Sequence, residues 1–197
     1  QVKVKNTLNF LTKCSTIFRE NINAKIISVT GSCGKTTLKE MIGLTLKEIS
    51  RTTYSPKSFN NKYGVPLSLL NLKQNDSFGG FEVRMDKKGE IDNLTRIIKP
   101  DLGIITNISY AHSKNFKNIH KIAEAKAEIM NNIKENGTIV LNSDDSFYDY
   151  HKKYAYKQKL NIISFGIKDK TAMIKLVKIK RIKKKFQLFI DVKGLST

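Results

Sequence analysis

Apolar positions along this chain recur with two periods, and the switches between them divide it into alternating strand and helix segments. Residues 1–5 alternate as the end of a strand does. Leu8, Leu11, Ile17 and Phe18 then predict an amphipathic helix over Asn6–Glu20. A β-branched run predicts a core strand at about Lys25–Val29, and Leu38, Met41, Ile42, Leu46 and Ile49 predict a helix over about Lys35–Ile49. A short strand near Thr52–Tyr54 leads into the polar segment 58–66, and Pro66 opens a helix to about Leu72. Next come a strand over Gly79–Met85, a helix over Gly89–Ile98 that stops before Pro100, and a compact apolar strand over Leu102–Asn107. Ile119–Ile133 is the clearest helix. Thr138–Leu141 is a strand, Asn142-Ser143-Asp144-Asp145 caps a helix running to about Tyr156, and Ile162–Phe165 closes the series. From Ala172 two alternating runs, about 172–180 and 185–193, predict a small antiparallel strand pair at one edge. The expected fold is α/β: a doubly wound, mostly parallel sheet with its ligand at the carboxyl ends of the strands.

The chemistry concentrates where the first core strand stops, at Thr30-Gly31-Ser32-Cys33-Gly34-Lys35-Thr36-Thr37. Gly31 and Gly34 permit the close backbone approach that turns N–H groups towards an anion. The helix that follows adds the positive end of its dipole, Lys35 can reach outer phosphates, and the Thr36 hydroxyl can hold Mg²⁺. The common P-loop would require glycine at position 29, where this chain has Val29. A tight β–α turn followed by a chance Lys-Thr is the alternative. Strand, paired glycines, lysine, hydroxyl and helix together favour a nucleoside triphosphate.

Composition changes the picture little. The 197 residues suit one ordinary domain with a sizeable core. No apolar run approaches the about 18 residues of a membrane span. Beginning on Gln rather than Met, the chain is expected to be a processed or truncated piece. Cys14 and Cys33 lack CxxC spacing, which predicts free thiols in a reducing cytoplasm. The net charge of +19 raises nucleic acid as a partner. Yet the lysines are scattered, and the one dense run, Lys175–Lys185, alternates with Ile and Leu without interleaved aromatics. General basicity accounts for it better.

Three further groups fall where strands meet loops. Glu82 interrupts an apolar strand, where a carboxylate is costly unless paired or bound to a cation; a solvent-facing edge position is the even alternative. His112, taken alone, is a surface histidine, and Lys126 on its helix is a solvated charge.

In order along the chain, Thr30–Thr37, Asn60-Asn61-Lys62-Tyr63-Gly64-Val65-Pro66, Glu82 with Gly89-Glu90-Ile91, Asn107-Ile108 with Ala111-His112, Ala125-Lys126-Ala127-Glu128-Ile129 and Asn142-Ser143-Asp144-Asp145 resemble the motifs of the Mur ligases. Folylpolyglutamate synthase is a relative. The Asn-Asn segment is similar to that of the branch joining D-Ala-D-Ala to a UDP-MurNAc-tripeptide. The resemblance covers about residues 6–166 and implies a central ATP-binding domain over 24–197, preceded by a strand and helix (1–23) from an amino-terminal domain, with that domain and a carboxyl-terminal one outside this chain. It also implies a ligase using ATP and Mg²⁺. Gly31, Ser32, Cys33, Gly34, Lys35, Thr36 and Thr37 would hold the phosphates, with Asn60 and Asn61 lining the approach of the UDP-peptide or metal. Thr36 and Glu82 would hold one Mg²⁺ and His112 a second. Lys126 would be the lysine that some members carbamylate, which would make it a carboxylate-like metal partner, and Lys35, His112 and Lys126 would form the catalytic set. A monomer acting on UDP-MurNAc-peptide and D-Ala-D-Ala is expected, with another family ligase or a basic nucleic-acid-binding ATPase as alternatives. Arg84, Lys87 and Lys88 depart from the branch's usual residues.

Overall fold

The first predicted helix forms as α1 (Thr7–Glu20), started by Asn6, whose side-chain oxygen accepts the Asn9 amide at 2.9 Å. The computed structural model describes residues 3–110, 115–183 and 185–193. Residues 3–5 are irregular, not strand; an alternating run with no ladder to join has nothing to satisfy its backbone groups. Then follow β1 (Lys25–Thr30), α2 (Lys35–Ile49), β2 (Thr52–Tyr54), α3 (Gly64–Leu69), β3 (Phe78–Glu82), α4 (Glu90–Ile98) and β4 (Leu102–Ile105). The second half comprises α5 (Ile119–Ala127), a 3₁₀ turn (Glu128–Asn132), β5 (Thr138–Asn142), α6 (Tyr148–Lys157), β6 (Asn161–Gly166), β7 (Ile174–Ile182) and β8 (Lys185–Val192).

Among the described residues the strands make one eight-stranded sheet in the order β2-β3-β1-β4-β5-β6-β7-β8. All neighbours run parallel except β7 and β8, which pair antiparallel. The chain fills one side of β1 with β2 and β3, then crosses to β4 on the other. That reversal opens a crevice at the carboxyl ends of β1, β3 and β4.

Several boundaries differ from expectation for identifiable reasons. β3 stops at Glu82 and β4 at Ile105 because their shared neighbour β1 stops at Thr30, where Val29 pairs with Glu82 and Thr30 with Ile105. α3 starts at Gly64 because the Asn61 side-chain oxygen accepts the amides of Tyr63 (3.0 Å) and Gly64 (2.9 Å); Pro66 then falls in the first turn, where no N–H is needed. The helix expected over Ile119–Ile133 tightens to 3₁₀ after Ala127. This lays Glu128 against the start of α4, where its carboxylate accepts the amides of Gly89 (2.7 Å) and Asp92 (3.3 Å). Asn132 reaches the Asp92 side chain at 3.0 Å from the same turn.

The core lies on the face of the sheet covered by α1, α3, α4 and α5, with Ile26, Leu69, Phe81, Ile91, Ile98, Ile122 and Ile129 fully enclosed. α1 is bound to it through a buried cation. Arg19, 3% exposed, donates to the carbonyls of Ile98 (2.7 Å), Ile22 (2.8 Å) and Lys99 (3.1 Å) beside Asp101. Arg19→Met would leave these carbonyls without their donor. It is expected to cost about 2–3 kcal/mol, read as a lower urea midpoint at unchanged slope.

Of the Lys175–Lys185 run, Lys175, Lys178, Lys180 and Arg181 lie on β7, and Lys183 and Lys185 at the hairpin tip. Register puts Lys175, Lys178 and Lys180 on one face, and Ile174, Leu176 and Ile179 opposite Val192, Ile190 and Leu188 on the other. β7 is four strands from β1, about 19 Å at the usual spacing, so this charge is remote from the crevice.

Candidate active site

The glycine-rich turn crosses the mouth of the crevice. Gly31 has φ +145°, and a Cβ there would run into Thr106 Oγ1; Gly34, at φ +80°, is the left-handed residue that starts α2. No side chain caps α2, so the leading N–H groups of Lys35 and its neighbours point into the turn. The segment after β4 braces the turn from behind. Ser32 N donates to Asn107 O (2.9 Å), Cys33 N to Asn107 Oδ1 (3.1 Å), and Thr106 Oγ1 to Cys33 O (2.7 Å). Ser32 Oγ donates to Ser109 O at 3.0 Å and accepts from Ser109 N at 2.8 Å. The Ser32 and Cys33 amides are therefore committed to bracing, which leaves the α2 amides to meet an anion.

Glu82 ends β3, an interior strand, and is 1% exposed, which rules out the solvent-facing alternative. Its carboxylate accepts from Thr36 Oγ1 at 2.6 Å and from Asn60 Nδ2 at 2.7 Å. Asn60 is itself held by the Arg84 amide, which donates to its carbonyl at 3.0 Å. Asn61 is placed differently, committed to the start of α3.

Lys126 projects from α5 and is 5% exposed, not solvated. Its Nζ donates to Gly31 O at 2.8 Å. Burial pulls its pKa down from 10.5 to about 7, the nearby Lys35 charge adds to this, and Cys33 opposes it. Lys35 folds back so that its Nζ donates to Ser32 O at 3.2 Å. Gly31, Lys35, Thr36, Asn60, Glu82 and Lys126 thus border one cleft of about 210 Å³. His112 lies outside the described residues.

Among the described residues no three His, Cys, Asp or Glu side chains converge as a metal cage. The donors that do converge, a threonine hydroxyl and one carboxylate, are hard oxygens. They fit Mg²⁺, which prefers one or two such ligands completed by phosphate oxygens and water. The uncapped helix start beside Lys35 fits the phosphates.

Sequence reasoning passed over Thr106 and Ser109, and it placed Asn107 and Asp145 within the motifs of the resemblance without giving either a role in the site. Asp145 Oδ2 accepts the Ile108 amide at 2.7 Å while Oδ1 accepts that of Phe147 at 2.9 Å. Asp144 instead accepts the amides of Ile167, Lys168 and Asp169 and holds the β6–β7 loop. The available signal was the position of Asn107, just past a buried strand beside the switch point.

A doubly wound sheet with a shortened phosphate turn at its switch point, faced by a buried carboxylate and a buried lysine, defines a P-loop-type nucleotide-binding domain. Residues 29–196 match the Mur ligase middle domain, and the chain belongs to that family. It is 37% identical over 168 residues to the UDP-N-acetylmuramoyl-tripeptide–D-alanyl-D-alanine ligase of Buchnera aphidicola subsp. Baizongia pistaciae, covering 85% of this chain and 36% of the relative. The chain therefore spans little more than a third of that protein's length. A crystal structure of MurF from Acinetobacter baumannii superposes with TM-score 0.89 at 29% identity, over 98% of this chain and 42% of that one. MurF from Thermotoga maritima in complex with ADP superposes with TM-score 0.84 at 27% identity, over 97% of this chain and 43% of that one.

Proposed function

We propose that this chain is the central ATP-binding domain of a ligase that joins D-Ala-D-Ala to a UDP-MurNAc-tripeptide. The carrying observation is the Glu82 carboxylate, enclosed between Thr36 and Asn60 and facing the same cleft as Lys35 and Lys126. The sequence relatives of this chain carry that activity in their names. In the longer protein, residues 1–23 would lead in from an amino-terminal domain, and a carboxyl-terminal domain would complete the site over 24–197.

In this reading Thr36 and Glu82 hold Mg²⁺, which supplies charge neutralisation where the ATP phosphates and a substrate carboxylate meet. The α2 N-terminus and Lys35 orient the β- and γ-phosphates. The substrate carboxylate takes the γ-phosphoryl group to give an acyl phosphate and ADP. The D-Ala-D-Ala amine then attacks the acyl carbon, phosphate leaves, and the amine's proton passes to solvent or a base. Lys126 stands beside the turn with much of its amine neutral near pH 7. That is the form able to take up CO₂, so carbamylation to a carboxylate-like partner belongs to this reading. His112 belongs to it as a ligand of a second cation. Cytoplasmic location and a monomeric state complete it; no helix of the described residues is long and apolar enough to cross a membrane.

ADP release by the full-length ligase should require both UDP-MurNAc-tripeptide and D-Ala-D-Ala. Release that ignores the dipeptide but answers to another amino acid would move the protein to a different branch of the family.

A further inference from the structure

The structure holds a second buried lysine that the proposed mechanism does not use. Lys39 lies on α2, one turn beyond Lys35 and Thr36, and is 1% exposed. Its Nζ donates to the carbonyls of Ser55 and Lys57, the latter at 2.8 Å, and meets Glu40 Oε1 at 2.8 Å. Two ammonium hydrogens are thereby given to carbonyls, the Glu40 carboxylate balances the charge, and the Tyr54 ring lies 5.7 Å away. A cation is taken from water here to fasten one loop, a costly arrangement for a contact of no consequence.

The loop so fastened is the one that delivers Asn60. It leaves β2, passes Lys57 in a left-handed conformation (φ +47°) and turns where Phe59 N donates to Pro56 O at 3.1 Å. Asn60 then meets the Glu82 carboxylate, and its carbonyl is held by Arg84 N. Lys39 and Arg84 are thus the two ends of a clamp with Asn60 between them. Lys57 pays for its unusual backbone through the Lys39 bond to its own carbonyl.

We infer that Lys39 is a positioning residue for the cation site. By pinning Ser55–Lys57 to the same helix that carries Thr36, it fixes Asn60 against Glu82 and so sets the orientation in which that carboxylate receives a divalent cation. The inference rests on the proposed reading of Thr36 and Glu82. It adds a residue outside the cleft that acts only through Asn60. It also ties the geometry of both cation ligands to one helix, so the hydroxyl and the carboxylate cannot drift apart independently.

The test compares nucleotide affinity with Mg²⁺ and with EDTA, by titration calorimetry of ATP into this chain, alongside hydrogen exchange. Lys39→Met should weaken Mg²⁺-ATP binding at least about tenfold, the scale of losing a group that orients a metal ligand, while changing affinity in EDTA less than about twofold. Amides of residues 57–61 should exchange faster with β1 and α2 unchanged, and Lys39→Arg should recover part of the loss. Should Lys39→Met fail to fold, Lys39→Gln, which keeps donors for the carbonyls without the charge, carries the same comparison. Equal weakening with and without Mg²⁺ would assign Lys39 to the general stability of the turn and overturn the inference, as would unchanged Mg²⁺ dependence in a folded variant. Wild-type protein whose ATP affinity ignores Mg²⁺ would instead overturn the cation site itself.

Discussion

Glu82→Gln is expected to lower turnover of the full-length ligase by about 10²–10³-fold with the fold intact, the scale of removing one preorganised charge from a phosphoryl-transfer site. The expectation follows from what each oxygen does. In the wild type both carboxylate oxygens accept, one from Thr36 and one from Asn60. Glutamine keeps one acceptor and turns its amide against the other partner. Thr36 can rotate its hydroxyl to accept, so the folding cost stays near about 1 kcal/mol. The charge is lost whatever the rearrangement, and it is the charge that a divalent cation needs. Nucleotide affinity in EDTA should therefore stay within about twofold, whereas the gain conferred by Mg²⁺ should disappear. Turnover within about fivefold of wild type would remove Glu82 from the cation site. Parallel losses in both buffers would make it a brace for Asn60 only.

What the sequence made legible was whatever local rules determine. The β1–α2 unit and its glycine turn could be placed because strand, left-handed glycine and helix start each leave a residue-level mark. Glu82 was visible as a carboxylate where an apolar residue belonged, though only the neighbours of β3 show that it is enclosed. Lys126 and Lys39 were not legible as buried. A lysine on an amphipathic helix reads as a solvated charge, and nothing in its neighbours says that a carbonyl from Gly31 or Ser55 lies across from it. The brace behind the turn was hidden for a related reason. Ser109 acts through main-chain groups, which every residue possesses, and Asn107 through its side-chain amide as well as its carbonyl; in both cases only tertiary placement gives the residue its role. The 3₁₀ tightening at Glu128 likewise depends on the position of α4, more than thirty residues earlier in the chain. His112 rests on the resemblance alone.

Lys126 gives the other large expectation, a pH-dependent one. Its pKa is near 7 in the folded protein against 10.5 when exposed, so from about pH 7 to 10 the unfolded chain binds a proton that the folded one does not. Unfolding free energy should therefore rise with pH across that window. Below pH 7 the folded protein must carry a buried ammonium, a penalty on the order of 5 kcal/mol at about 1.4 kcal/mol per pH unit. Lys126→Met removes the titration and also leaves the Gly31 carbonyl without its donor, a pH-independent cost of about 1–3 kcal/mol. The two effects separate because only one varies with pH. Measured by urea unfolding in CO₂-free buffer, so that the free amine is what titrates, the methionine variant should gain on wild type at pH 6 and lose that gain progressively by pH 9. His151, buried and itself pulled below the usual histidine range by desolvation, is present in both proteins and largely cancels. Parallel curves for the two proteins would show that Lys126 keeps an ordinary lysine pKa. That would also remove the neutral amine on which carbamylation depends, and leave Lys126 a fixed cation facing the phosphates beside Lys35.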